Sequence, residues 1–329
     1  MKDLISKVNT LSDEEKLSLL QRDFNSKELI EILEELFLLD PKQESIFELF
    51  DCCGTGGDKA NTFNISTATA VIAASTGIKI CKNGGRSSSS KTGSVDVLEE
   101  LGVNFSQSLE TKLIGLKDYG LAFHSSKAIA EILAPLKNYA RKNKISSFLS
   151  LLGPFTNPFI LKGQIIGVGK KEWFEIITDI AKHHVSKGYT GKIVLVQSTS
   201  SSGQVFDEIT SITKAKIRII QENQSFDFNF DPSDFQLSLE NEKSLKGGDN
   251  HHENADILRS IIENKATICQ KETSLINLAL LLSLNSPDLN QNNIRDLIIG
   301  SYKLAKTKLE NGDCHKTWLN FLAFNLINN

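Results

Sequence analysis

The sequence predicts an α/β fold in which a strand–helix core carries an extra helical lobe. Three features predict it. Residues 1–48 place apolar side chains at helical spacing, residues 46–197 alternate short apolar runs with helical stretches across glycine-rich turns, and helical patterning resumes at Asn254 and runs on to the end. No fixed-period repeat interrupts this order. The 329 residues suffice for one large and one smaller domain.

In the first segment, Ser12 and Glu15 have capping-box spacing, and Leu29, Ile30, Ile32, Leu33 and Leu36 form a stripe suited to packing. Ile46–Cys53 reads as the approach to a buried strand, with Cys52 and Cys53 as small buried residues on it. Ser66–Thr76 predicts a small-residue helix ended by Gly77, and Ile78–Lys82 a short strand. Ser94 is expected to cap a further helix, which Gly102 stops. Helix is expected again from about Ala128 to Asn143, then a turn-rich segment at Leu151–Pro158. A strand at Gln164–Gly169, a helix at Glu172–His184 and a buried strand at Lys192–Gln197 follow. Residues 216–244 read as strand and loop, with Phe226–Phe235 alternating as a half-exposed strand does. Trp173 and Trp318 are expected in the core.

Composition narrows the function. Hydrophobic residues make up 40% and charged residues 23%, as in an ordinary globular protein. A net charge of −3 and a pI of about 6.1 disfavour a nucleic-acid partner, which calls for a basic surface. The charged opening MKDLISKVNTLSDEEK lacks a signal-peptide core, and no apolar run reaches membrane-spanning length, so no membrane partner is expected. Five cysteines, an odd number without metal-ligand spacing, point to reduced thiols and a cytoplasmic location.

The chemistry lies in the loops. Gly54-Thr55-Gly56-Gly57-Asp58 follows a strand, where glycines let backbone N–H groups approach an anion; alone, such a cluster more often makes a plain turn. Lys59 stands where a dinucleotide fingerprint has its last glycine. Asn64, Ser66 and Thr67 crowd one helix start, more than a single cap requires, and a helix N-terminus attracts anions. The loop from Lys82 to Ser94 combines Lys82, Arg86 and Lys91 with Gly84, Gly85, the serines Ser87, Ser88, Ser89 and Ser90, Thr92, Gly93 and Ser94. Cations, hydroxyls and flexible backbone together suit a polyphosphate better than a linker. Gly85–Thr92 misses the P-loop pattern by one residue, with Ser90 in place of the second glycine. Adjacent Asp207 and Glu208, beyond a buried strand, can hold Mg2+. Gly247-Gly248-Asp249 before Glu253 and Asn254 reads as loop architecture beside a helix start. His183-His184 and His251-His252 have no third ligand at a useful spacing and read as surface or capping residues.

Taken in order, Asp51–Thr67, Lys82–Gly102, Leu151–Pro158, Asp207–Glu208 and Leu245–Asn254 resemble the anthranilate phosphoribosyltransferases, in the wider family that includes nucleoside phosphorylases. The resemblance covers nearly the whole chain. It implies a large α/β domain with a mostly parallel central sheet (51–125 and 161–329) plus a small all-helical domain (1–50 and 126–160). The active site would lie between them, in a homodimer joined through the helical domains. It implies transfer of phosphoribose from 5-phosphoribosyl 1-pyrophosphate to the amino group of anthranilate, in tryptophan biosynthesis. Carried over by motif, Gly54, Gly57, Asp58, Thr62, Asn64, Ile65, Ser66 and Thr67 would bind the donor. Lys82, Asn83, Gly84, Gly85, Arg86, Ser87, Ser88, Ser89, Ser90 and Ser94 would join them. Ser66, Asp207 and Glu208 would hold the magnesium ion.

The acceptor half departs from the family. Lys82-Asn83-Gly84-Gly85-Arg86 stands where the family reads Lys-His-Gly-Asn-Arg, so the asparagine that contacts anthranilate is Gly85 here. A histidine–proline pair is absent near Ala128-Ile129. Counted without gaps from Leu151, the arginine that meets the anthranilate carboxylate falls on Ser146. The expected acceptor pocket is therefore Gly54, Gly85, His124, Lys144, Ser146 and Pro154, with Arg141, Lys142 or Lys144 as sources of positive charge. Two alternatives stay open: a same-fold transferase with another acceptor, and a non-catalytic relative that binds nucleic acid.

Overall fold

The computed structural model describes residues 4–86, 93–126, 131–222, 224–238 and 240–327. After α1 (Leu4–Lys7), helices start where the chain supplies caps. The Glu15 amide donates to Ser12 Oγ at 3.2 Å and the Ser12 amide to the Glu15 carboxylate at 2.8 Å, closing the expected capping box of α2 (Asp13–Gln21). Asn25 and Glu28 close another at α3 (Ser26–Leu39). This helix buries Leu29, Ile32, Leu33 and Leu36, while Ile30 is half-buried. Each fully buried Leu or Ile contributes about 1.5–3 kcal/mol, enough for this stripe to anchor the lobe.

One sheet of eight strands forms the centre. Five run parallel in the order β3-β2-β1-β4-β5: β1 (Leu49–Gly54), β2 (Lys79–Gly84), β3 (Leu121–Ser125), β4 (Leu161–Gly167) and β5 (Thr190–Thr199). The other three are antiparallel: β6 (Val205–Phe206) and β7 (Ala215–Gln221) pair with β5, and β8 (Gln224–Phe230) pairs with β7. The expected mostly parallel sheet is present. Phe226 and Phe228 on β8 are half-buried and alternate with exposed residues, as their pattern predicted.

Helices make the crossovers. α4 (Ile65–Ala74) joins β1 to β2, and α5 (Ser94–Glu100) with α6 (Leu109–Tyr119) joins β2 to β3. α7 (Ala134–Lys142) and α8 (Leu149–Leu152) precede β4, and α9 (Phe174–Ser186) joins β4 to β5. α10 (His251–Ile262), α11 (Ile268–Ser283), α12 (Ile294–Glu310) and α13 (Asp313–Ile327) close the chain. Along β5, Val194 and Val196 enter a core shared with α4 and the last four helices. Ile193 and Leu195 point the other way, into a core shared with α9 and the lobe helices α2, α3, α7 and α8. Parallel sheets require this cover on both faces.

Some local expectations shift. Ser94 is the first residue of α5 and Gly93 its cap, with the Gly93 amide donating to Asp96 at 3.1 Å. Ala128 and Ile129 lie outside the described residues. Trp318 is core, but Trp173 is half-buried, beneath Gly57 and the Lys170 ammonium. His184 is no surface residue: it is 1% exposed and packs edge-on against Phe155 and Tyr189.

Candidate active site

From β1 the chain winds outward through β2 and β3, then returns to β4 on the far side of β1. At such a reversal the loops leave neighbouring strands in opposite directions and open a crevice beyond their carboxyl ends. The crevice here is a cleft of about 550 Å3.

Gly54 ends β1 opposite Gly167 of β4. A Cβ on Gly54 would sit 2.1 Å from Asp207 Oδ2, and one on Gly167 1.4 Å from the Asp207 carbonyl oxygen. Only glycines let the Asp207-Glu208 segment lie across these strand ends. The Gly56 amide donates to Asp207 Oδ2 at 2.8 Å, so the first loop also holds this carboxylate.

Asp58, Asp207 and Glu208 bring carboxylate oxygens within 4.8 Å of one another. Among the described residues, Asp58 Oδ2 and Glu208 Oε2 are buried without a hydrogen-bond partner. Burial, then repulsion from Asp207, pushes the Asp58 carboxyl up to about 7 and that of Glu208 well above the usual range. Crowded hard oxygens with orphaned lone pairs match what Mg2+ takes, so the residues fit the ion. Asp58 thus joins the two carboxylates expected from sequence, and Ser66 lines the same cleft.

Lys82, at the end of β2, is 3% exposed and donates from Nζ to the Cys52 carbonyl at 2.7 Å. Beneath it lies Asp51, fully buried, whose carboxyl burial pulls up against the opposing charge of Lys82. Asp51 accepts from Asn157 Nδ2 at 3.0 Å, Gln164 Nε2 at 3.3 Å and the Asn83 amide at 3.1 Å. Asn157 also donates to the Cys81 carbonyl at 2.8 Å. The Leu151–Pro158 turn therefore ties β1 to β2 and sets the position of Lys82.

At the start of α4, Asn64 makes no side-chain cap, and among the described residues Asn64 Oδ1 and Thr67 Oγ1 are buried without partners. The crowding of polar side chains there is not capping. With the unpaired amides of a first helical turn, they form an anion-facing wall. Gly57, Thr62, Asn83, Gly84, Gly85 and Ser94 line the cleft as well. Arg86 also lines it, but its guanidinium is held by Asp96 at 2.7 Å and Glu99 at 2.6 Å. Ser87, Ser88, Ser89, Ser90, Lys91 and Thr92 lie outside the described residues.

The expected acceptor pocket needs correction. Gly54, Gly85 and Pro154 line the cleft; His124, Lys144 and Ser146 do not. His124 sits on β3, with burial, then Lys112, pushing its ring down to about 4. Lys144 and Ser146 are exposed, Lys144 in the left-handed region at φ 54° past the end of α7; Arg141 and Lys142 are exposed too. Ile65, expected at the donor, faces the core instead. The cation on the lobe side is Lys137 of α7, beside Ala140, Ile145, Ser147 and Ser150. Burial, then Arg141 and Arg86, lowers its pKa, and the Lys137 ammonium has no hydrogen bond or ion pair among the described residues.

The family model described as "Glycosyl transferase family, a/b domain" matches residues 47–298. The chain is 34% identical over 270 residues to anthranilate phosphoribosyltransferase 1 of Nostoc sp., covering 80% of this chain and 72% of that one. The chain belongs to the anthranilate phosphoribosyltransferase family. The Francisella philomiragia member is 31% identical over 277 residues, 84% of this chain and 77% of its own length. Among solved structures, anthranilate phosphoribosyltransferase from Thermus thermophilus aligns with a TM-score of 0.76 at 21% identity, covering 98% of this chain and 94% of that one. The Saccharomyces cerevisiae protein in complex with PRPP and Mg aligns at 0.73 and 22% identity, covering 98% and 85%. These two show the shared fold.

For a member of the anthranilate phosphoribosyltransferase family, the sequence reading missed Lys137, Ser147 and Ser150 in the lobe wall. A signal for Lys137 existed. Leu133, Leu136, Lys137 and Ala140 follow helical face spacing, and one charged residue on an otherwise buried face marks a place where that face meets a cleft.

Proposed function

We propose that the chain transfers phosphoribose from 5-phosphoribosyl 1-pyrophosphate to anthranilate, releasing pyrophosphate and N-(5-phosphoribosyl)anthranilate. One observation carries the reading: a single cleft holds an anion-binding wall, a carboxylate cluster and a lobe cation, Lys137, whose ammonium has no partner among the described residues. The α4 start, the glycine loop and Lys82 would hold the donor phosphates. Asp58, Asp207, Glu208 and Ser66 would hold Mg2+, which when bound neutralises pyrophosphate charge. Lys137 would meet the acceptor carboxylate in place of an arginine. Asn83 Oδ1, buried and without a partner among the described residues, offers an acceptor for the amine N–H, while Asn83 Nδ2 is fixed on the Gly153 carbonyl at 3.1 Å. The amine lone pair attacks the ribose carbon as its bond to pyrophosphate breaks, and the proton the amine then loses passes to water. Positioning supplies most of the rate, since the nucleophile needs no activation.

The same reading divides the chain into the helical lobe (1–50 and 126–160) and the α/β domain (51–125 and 161–329). Exposed Leu38, Leu39 and Ile46 on the lobe support a homodimer joined there. Five free thiols support a reducing, cytoplasmic setting, and no described helix is long and apolar enough to cross a membrane.

Loss of anthranilate fluorescence with 5-phosphoribosyl 1-pyrophosphate and Mg2+, against a no-enzyme control, tests the proposal. Steady consumption is expected, and replacing both Asp207 and Glu208 by Ala should abolish Mg2+-dependent donor binding. Donor binding without consumption would point to another acceptor. No donor binding would overturn the reading.

A further inference from the structure

Away from the cleft, Glu100 and the histidine pair His251-His252 converge on the surface. Sequence spacing offers those histidines no third ligand; the fold supplies one from another helix. His252 Nδ1 lies 2.7 Å from Glu100 Oε1, and His251 Nε2 lies 3.8 Å from Glu100 Oε2. The imidazole rings lie against each other, with centroids 4.2 Å apart. One ligand atom from each of the three residues falls within 4.8 Å of the others.

We propose that Glu100, His251 and His252 form a surface site for a divalent transition metal of the zinc class, which staples α5 to α10. Two imidazoles and a carboxylate with an open, water-filled fourth position are ligands zinc takes, and borderline-soft nitrogen donors set the site apart from the all-carboxylate cluster in the cleft. Glu100 is the last residue of α5, where the helix end favours a cation. The amino end of α10 opposes one, and Glu253 in its first turn offsets that field. The staple has a mechanical consequence. Gly93 and Ser94 at the start of α5, and Gly248 and Asn254 around the start of α10, line the cleft. A metal at Glu100 therefore braces both helices whose amino ends shape that wall.

The test is calorimetric titration of the tag-free full chain with zinc chloride, in excess Mg2+ so that the cleft carboxylates are occupied. One equivalent is expected. Glu100→Gln and the double variant His251→Ala/His252→Ala should each weaken it at least about tenfold, the loss that even second-shell changes cause. Zinc at about a hundred times its dissociation constant should raise the wild-type Tm by roughly 4 °C, and the Tm of the double variant by far less. Replacing both Asp207 and Glu208 by Ala should leave zinc binding intact. Absence of zinc binding, unchanged affinity in the double variant, or loss of zinc with the Asp207 and Glu208 pair would each overturn the proposal.

Discussion

Replacing Lys137 by Gln removes the lobe cation while keeping a side chain of similar reach. Lys137 is half-buried, and repelled by Arg141 and Arg86 with no anion among the described residues beside it. An acceptor carboxylate would provide that partner. A hydrogen bond between charged groups in such a place contributes about 1.5–3 kcal/mol. At about 1.36 kcal/mol per tenfold, the variant should bind anthranilate roughly 10- to 150-fold more weakly. The assay is anthranilate fluorescence at saturating donor, then the converse titration. The anthranilate KM should rise by that factor, the KM for 5-phosphoribosyl 1-pyrophosphate should stay within about threefold, and Lys137→Arg should retain most of the affinity. Because the free protein holds this charge against other cations, its Tm should stay level or rise in the glutamine variant. A structural role would lower it instead. An anthranilate KM within twofold of wild type, or an equal rise for both substrates, would refute the assignment.

Two further effects follow from buried polar groups. Asn157→Ala takes a donor from buried Asp51 and another from the Cys81 carbonyl, so it should cost about 3 kcal/mol and lower Tm by roughly 4 °C in calorimetry; a shift under about 1 °C would show that Gln164 and Asn83 satisfy Asp51 alone. His124 is held near 4 in the folded protein against an ordinary 6.5, so its neutral form is the one that folding favours. Its contribution is intact above pH 6.5 and is lost as pH falls toward 4, and His124→Gln should remove on the order of 1–2 kcal/mol of that acid loss. Urea unfolding at pH 7, 5.5 and 4.5 measures this, and parallel curves for the two proteins would count against it.

The sequence carries signals that are local in the chain. The Ser12–Glu15 box, the α3 stripe and the terminators Gly77 and Gly102 each lie within one contiguous segment and are found as read, and the described residues of the two glycine-rich loops line the cleft. α6 was not read, although its signals are local too. Its stripe of Leu109, Leu113 and Leu116 is diluted on the same helix by buried Lys112 and Gly115, and its cap Ser108 and terminator Gly120 went unread. Contacts between distant segments were hidden. Asp51 meets Asn157 across 106 residues, and Glu100 meets His251 and His252 only after α10 packs on α5.

The same distinction explains why the donor half reads clearly and the acceptor half does not. The proposed donor wall is built of backbone at the sheet's switch point, where glycine at Gly54 and Gly167 is required by atoms closer than any Cβ tolerates. Such positions admit one residue type, so a motif survives in the sequence. The acceptor wall is built from side chains on a helix that packs from the lobe, and a cation is needed only at a point in space. A lysine at position 137 reaches that point from one helix earlier than an ungapped count back from Leu151 suggests, because the turn past α7 includes Lys144 in the left-handed conformation and leaves Ser146 facing solvent. A side-chain requirement fixed in space but not in register leaves no motif, and only the fold locates it.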